Sequence, residues 1–101
     1  MSQFTLHLPS KSEKQLYQLT DGLRLMYWQE FKQTHKEAVG EGKDFSNHLE
    51  LYQVFNDLWQ HHEIKSMSLV EVQQFISNLG YTCQEIIDAR KEYYDNRRNY
   101  L

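Results

Sequence analysis

The sequence predicts an all-α fold: a single-domain bundle of about four helices, with a short extended arm at the N-terminus. Apolar residues recur at helical spacing along most of the chain, and three of the periodic segments are preceded by residues typical of a capping box. The chain has 101 residues, of which 40% are hydrophobic and 25% charged, with Gly 4 and Pro 1. This composition favours one modest core and argues against a disordered chain.

Residues 1–9 are the extended arm. Apolar side chains alternate with Thr and His at Phe4, Leu6 and Leu8, and Pro9 closes the run. Alternation of this kind is typical of a strand with one buried face. Because no second strand pattern follows, we expect the arm to cover the core of its own bundle or to pair with another molecule.

The first helix is predicted over 10–37. Ser10 or Ser12 can cap its N-terminus, and the Gly40–Gly42 pair follows its end. Its apolar sector is wider than one packing partner requires, since Leu25 lies opposite the main stripe. The members of the sector are Leu16, Tyr17, Leu19, Leu23, Met26, Tyr27, Trp28 and Phe31. We therefore expect this helix to pack on two sides, centrally in the bundle or partly against a partner.

Three further helices are predicted over 47–62, 69–79 and 83–98. Capping-box patterns begin each of them, at Asn47–Glu50, Ser68–Glu71 and Thr82–Glu85. Gly80 stands where a left-handed residue ends the third helix. The second helix carries an apolar face made of Leu51, Val54, Phe55, Leu58 and Trp59.

The motifs of common enzyme and metal-site classes are missing from the sequence. A single cysteine, Cys83, allows no intramolecular disulfide and fits a reducing cytosol. The His61–His62 pair lacks the spacing that brings metal ligands together on one helix face. No apolar run is long enough for a membrane span or a secretory signal. We expect neither an enzyme nor a bound metal or cofactor, and no membrane.

The segment from Ser68 to Arg90 resembles a helix-turn-helix. Leu79, Gly80 and Tyr81 look like its turn, and Ile86 stands where a recognition helix contributes an apolar anchor. The resemblance implies that the fourth helix enters the DNA major groove. A plain helical hairpin requires the same glycine turn and the same cap, so both interpretations remain open. Residues 46–81 carry one Lys against four Asp and Glu, a balance that repels phosphate.

Arginines and tyrosines alternate toward the C-terminus, a mixture typical of protein interfaces and of nucleic-acid contacts. The same cations could instead complement the helix dipole, with their stems covering apolar surface. Trp28 either fills a groove of its own monomer or anchors an interface. The candidate protein-interface residues are Tyr17, Arg24, Trp28, Tyr93, Arg97 and Tyr100. The candidate nucleic-acid residues are Gln84, Arg90, Lys91, Arg97 and Arg98.

The function that these features favour is a non-catalytic cytosolic interaction module: an adaptor, an inhibitor or an assembly subunit, of bacterial or phage origin. It would bind another protein, or a second copy of itself, through aromatic and aliphatic helix surface. The alternative is a helix-turn-helix-like regulator that binds nucleic acid through residues 68–98.

Overall fold

A computed structural model describes residues 10–35 and 45–99, without the side chains of 45–48 and 97–99. The elements are α1 (Lys11–Thr34), α2 (Phe45–Gln60), a 3₁₀ helix (Glu63–Ser66), α3 (Leu69–Asn78) and α4 (Cys83–Asn99). The described residues contain no strand, and the all-α bundle of four helices is confirmed. The predicted arm over 1–9 lies outside the described residues.

The start of α1 lies where the capping pattern predicts it. Ser10 has an extended backbone, and its side chain accepts a hydrogen bond from the Glu13 amide at 3.1 Å. The helix ends at Thr34, before the predicted end at position 37. His35 caps it, because the His35 amide and Nδ1 both bond to the carbonyl oxygen of Phe31.

α2 begins and ends two residues earlier than predicted. It begins at Phe45, so Asn47 lies inside its first turn and the predicted N-cap is wrong. An N-cap needs a non-helical backbone, and Asn inside a helix costs only a few tenths of a kcal/mol, about 0.7 at most. The early end has a local cause: His62 is extended, and its Nδ1 accepts from the Ile64 amide at 3.2 Å, which begins the 3₁₀ helix.

Both helices of the C-terminal hairpin carry the predicted caps. Ser68 and Glu71 exchange side-chain-to-backbone hydrogen bonds at 3.1 and 3.3 Å, and Thr82 and Glu85 do so at 3.0 and 3.1 Å. Gly80 has φ +89°, a conformation that Gly adopts without steric cost. The chain therefore reverses between α3 and α4 through local hydrogen bonds.

The core surrounds α1, which contacts each of the other three helices. Its buried apolar side chains come from every element: Leu19, Leu23 and Trp28 from α1, Phe55 and Trp59 from α2, Ile64, Val72, Ile76 and Ile86. Leu25 is buried outside this cluster. The two-sided packing expected for the first helix is therefore satisfied within the chain itself.

α1 and α4 approach each other closely at Gly22. A Cβ atom at this position would lie 2.6 Å from Ile86 Cγ2 and 3.1 Å from the Ile86 carbonyl oxygen. Glycine in a helix interior costs about 1 kcal/mol relative to alanine. At Gly22 the missing side chain offsets this cost, because it lets the backbones of α1 and α4 lie close together.

None of the helices in the described part of the chain combines the length and the hydropathy that crossing a membrane requires.

Candidate functional site

A buried carboxylate joins α1 to α4. Asp21 is 7% exposed, and its Oδ2 accepts hydrogen bonds from Arg90 Nε at 2.8 Å and from the Tyr94 hydroxyl at 2.7 Å. Its Oδ1 accepts from Arg24 Nε at 3.0 Å and lies 2.9 Å from Arg24 Nη2. Arg24 Nη1 in turn donates to the Tyr52 hydroxyl on α2 at 3.1 Å. We call these five residues the Asp21 network.

The Asp21 network satisfies the polar groups that it buries. Burial raises the pKa of the Asp21 carboxyl, but hydrogen bonds from Tyr94, Arg90 and Arg24 outweigh this effect and hold it below its ordinary value. Burial also raises the pKa of Tyr94, and its hydrogen bond to Asp21 raises it further. Among the described residues, no buried side-chain N or O atom is left without a partner. The network is therefore a structural joint between three helices.

Three of the sequence-predicted site residues meet at this joint. Arg24 and Arg90 are its cations, and the Arg90 guanidinium also lies over the Tyr17 ring at 5.2 Å and the Tyr94 ring at 5.0 Å. Cation–π contacts of this kind stabilise the cation where it lies. In this structure Arg24 and Arg90 therefore bind their own chain, while Tyr17 remains largely exposed.

Trp28 is a core residue, and the expectation that it anchors an interface is wrong in this structure. Only 2% of its surface is exposed. Its ring contacts Tyr52 edge-on at 4.9 Å and packs on Phe55 at 5.4 Å, and Lys32 Nζ lies 5.3 Å from its centre. The position off the main stripe reflects how α2 crosses α1, so the secondary groove that Trp28 fills belongs to its own monomer.

The other predicted residues are dispersed along α4. Tyr93 is half-buried, with its ring edge-on to Tyr94 at 5.7 Å. Gln84 is exposed and donates to Asp88 Oδ1 at 2.9 Å, and Lys91 is exposed. The side chains of Arg97 and Arg98, and the whole of Tyr100, lie outside the described residues.

The start of α4 is poorly suited to reading DNA. Glu85 bonds to the Thr82 amide, and Gln84 donates to Asp88, so the exposed first turns present two carboxylates. Arg90, the expected phosphate contact, is paired with Asp21. These contacts favour the plain helical hairpin over the helix-turn-helix.

An aromatic groove lies where the C-terminal parts of α1 and α2 meet. Its volume is about 290 Å³, at the lower end of the range for ligand pockets. We call it the aromatic groove, and it is lined by Tyr27, Glu30, Phe31, Thr34, His35, Phe55, Leu58, Trp59 and His62. The rings contact one another, with Phe31 and Phe55 5.4 Å apart and Tyr27 and Trp59 6.1 Å apart. The packed rings form the floor of the groove.

The rim of the aromatic groove on α2 is apolar and exposed. Leu58, which lines the groove, is 59% exposed, and Val54, one turn earlier on α2 and next to the lining in sequence only, is 52% exposed. The predicted apolar face of α2 is thus divided: Phe55 and Trp59 enter the core, whereas Val54 and Leu58 face outward. The face is too wide for contact with α1 alone to cover it.

Acidic groups flank the aromatic groove. Burial raises the pKa of Tyr27, and the negative charges of Glu30 and Glu63 raise it further, which places both carboxylates within electrostatic reach of its hydroxyl. The described lining residues include Glu30 and neither Lys nor Arg. The carboxyl ends of α1 and α2 also border the groove and add partial negative charge.

The two histidines of the aromatic groove are held in place. His35 stacks on Phe31 at 4.1 Å, and His62 stacks on Trp59 at 5.0 Å. The Nδ1 of a neutral His62 accepts from the Ile64 amide and that of His35 bonds to a carbonyl oxygen, which assigns opposite tautomers to the two rings. Both serve as helix-end contacts and walls, and within the described residues no group of three or more His, Cys, Asp or Glu side chains is arranged to hold a metal ion.

A wider groove, of about 510 Å³, lies between the N-terminal half of α1 and the end of α2 with the 3₁₀ helix that follows. Its lining mixes Leu16, Trp59, Ile64 and Met67 with Asn56, Gln60, Lys65 and part of the Asp21 network. Asp21 and Arg24 neutralise each other there. Because its charges are of both signs, this groove selects no particular ligand charge.

Two functional features escaped the sequence interpretation. Asp21 went unnoticed because its partners lie 69 and 73 positions away, although a helix-interior Gly22 beside it is a recognisable sign of close helix packing. The exposure of Val54 and Leu58 was missed because period alone does not show how much of a wide apolar face is covered.

Comparison of the chain with protein-family models, with curated proteins and with solved structures gives no match. The function therefore has to be argued from these surfaces.

Proposed function

We propose that this protein is a non-catalytic interaction module that binds another protein through the aromatic groove and its exposed rim. The observation that carries the proposal is the exposure of Leu58 and Val54 beside a floor of aromatic rings. Contiguous apolar surface of this kind is typical of a contact that is covered in a complex. Large aromatic residues also dominate the binding energy of most interfaces.

As an interaction module, the protein would act as an adaptor, an inhibitor or an assembly subunit. It would act in the cytoplasm and be of bacterial or phage origin. We propose no catalytic role, since the charged side chains of the Asp21 network are bonded to one another. A nucleophile or general base requires a partner near a reacting atom.

The test compares the tagged wild-type protein with single variants, each expressed in the native host, and measures which protein partner each of them retains on purification. Val54→Ser and Leu58→Ser remove apolar rim from the groove, and Val70→Ser is the matched control, since Val70 on α3 is 73% exposed. All three should fold, because these side chains are mostly exposed and replacing them should cost less than about 1 kcal/mol.

We expect a stoichiometric protein partner that is retained by the wild type and by Val70→Ser, and lost from Leu58→Ser. Equal retention by all four proteins would contradict the assignment of the binding surface. Sedimentation measurements on the same set would reveal a second copy as the partner. Recovery of nucleic acid that high salt removes would favour the helix-turn-helix alternative.

A further inference from the structure

We propose that the occupant of the aromatic groove is a positively charged amphipathic helix of another protein, with a lysine or arginine side chain lying across the aromatic floor. This inference rests on the proposed function and specifies the chemistry of the partner.

The charge of the groove selects a cation. Glu30 lines it, and Glu63 at the start of the 3₁₀ helix acts on the hydroxyl of Tyr27 in the same wall. Among the described cations nearby, Lys32 lies over the Trp28 ring and Lys65 lines the wider groove. The aromatic groove therefore has negative groups that its own lining leaves without a cationic partner.

The floor of the groove suits the stem of a long cationic side chain. Lysine and arginine bury their methylene groups along apolar surface while the charged head remains at a polar edge. Aromatic rings also attract a cation over their faces. Tyr27 and Phe31 are only half-buried and line the groove together with Glu30, so they leave ring surface open beside this carboxylate.

The rim suits a helix as the element that presents this side chain. Val54 and Leu58 are one turn apart on α2, so they form a ridge parallel to the helix axis. A ridge beside a groove is the complement of an amphipathic helix whose apolar anchors follow the same spacing. The occupant would thus contact the ridge with apolar residues and the groove with its cation.

The experiment uses two synthetic helices of identical apolar sequence, one with lysine and one with glutamine at the flanking positions. Binding to the full chain is followed by the amide shifts of groove residues and by titration. We expect the lysine peptide to bind at the groove more tightly than the glutamine peptide. Glu30→Gln and Glu63→Gln should each weaken lysine-peptide binding between about twofold and fivefold, the effect of an exposed ion pair.

The controls separate this inference from the proposed function. Glu71→Gln is the matched control, since this exposed carboxylate caps α3 and should leave the peptide affinity unchanged. Equal binding of both peptides would overturn the preference for a cation and leave the docking surface intact. If neither peptide shifts the groove amides while partner retention still depends on Leu58, the helical cation is wrong and the function stands. If partner retention is also independent of Leu58, both this inference and the proposed function fail. If the wild type associates with itself and Leu58→Ser does not, the occupant is a second copy of the chain and the cationic helix is wrong.

Discussion

α1 meets α4 on one side and α2 on another, and the two contacts treat polar groups in opposite ways. At the α4 side, Asp21 receives four close contacts from Arg24, Arg90 and Tyr94, and Gly22 brings the backbones together. At the α2 side, aromatic rings form an open groove with exposed aliphatic residues at its rim. A joint with every polar group paired stabilises the fold, whereas an apolar surface left open is available for a partner.

Arginine and tyrosine residues in the C-terminal part of this chain do not by themselves indicate an interface. Such residues are frequent at interfaces, but here Arg90 and Tyr94 donate hydrogen bonds to Asp21 of the same chain. The surface that we propose for binding contains instead aliphatic side chains, Val54 and Leu58, that periodicity assigns to the core. Composition alone does not distinguish the two cases, because the same residue types serve both.

The largest expected effect is at Trp28, which packs against the groove residues Phe31 and Phe55. Trp28→Ala removes a fully packed ring and should lower the free energy of unfolding by about 3–5 kcal/mol. Leu58→Ala, at the rim of the same groove, should change it by less than about 1 kcal/mol, because this side chain is mostly exposed. Urea denaturation followed by circular dichroism measures both. Similar losses in the two variants would show that Leu58 is as buried as Trp28.

The next effect tests the charged centre of the joint. Asp21→Asn keeps the shape but leaves Arg24 and Arg90 without their shared carboxylate, which should cost about 2–3 kcal/mol of unfolding free energy. Glu30→Gln in the aromatic groove is the control, and it should be near neutral because Glu30 is exposed. A small loss for Asp21→Asn would mean that the joint contributes little to stability.

A smaller effect is expected from the close approach of the helices. Gly22→Ala places a methyl group 2.6 Å from Ile86 Cγ2, an atom whose position the Ile86 backbone largely determines. Overpacking of about 1–3 kcal/mol should exceed the helix-propensity gain of about 1 kcal/mol. In an Ile86→Ala background the same substitution should cost less, because the clashing methyl is gone. An unchanged cost in that background would place the strain elsewhere.

The smallest effect is the acid dependence of the joint. The pKa of Asp21 is lower in the folded chain than in the unfolded one, so its stabilising contribution is present above the unfolded value of about 3.9. The contribution is lost as the pH falls through the folded pKa. The stability gap between wild type and Asp21→Asn should therefore narrow below about pH 4. Glu71, whose pKa is lowered by the backbone and side-chain bonds of its capping box, is common to both proteins and cancels. A gap that stays constant down to the acid transition would show that folding does not lower the pKa of Asp21.

Local chemistry was enough to predict the fold class and most helix ends. Ser10, Ser68 and Thr82 cap helices, and Gly80 reverses the chain, through bonds that span only a few residues. The all-α class follows from apolar spacing in the same local way. Such features are readable because their partners are neighbours in the sequence.

Tertiary packing decided the rest, since it depends on partners that are distant along the chain. Asp21 acquires its role from Arg90 and Tyr94 on α4, which lie 69 and 73 positions further along the chain, and no residue near Asp21 in the sequence indicates these partners. The fates of Trp28 and Leu58 were likewise set by where α2 crosses α1: one became buried and the other exposed. An apolar pattern indicates which side chains favour burial. The packing of the helices determines which of these side chains are covered by a neighbouring element.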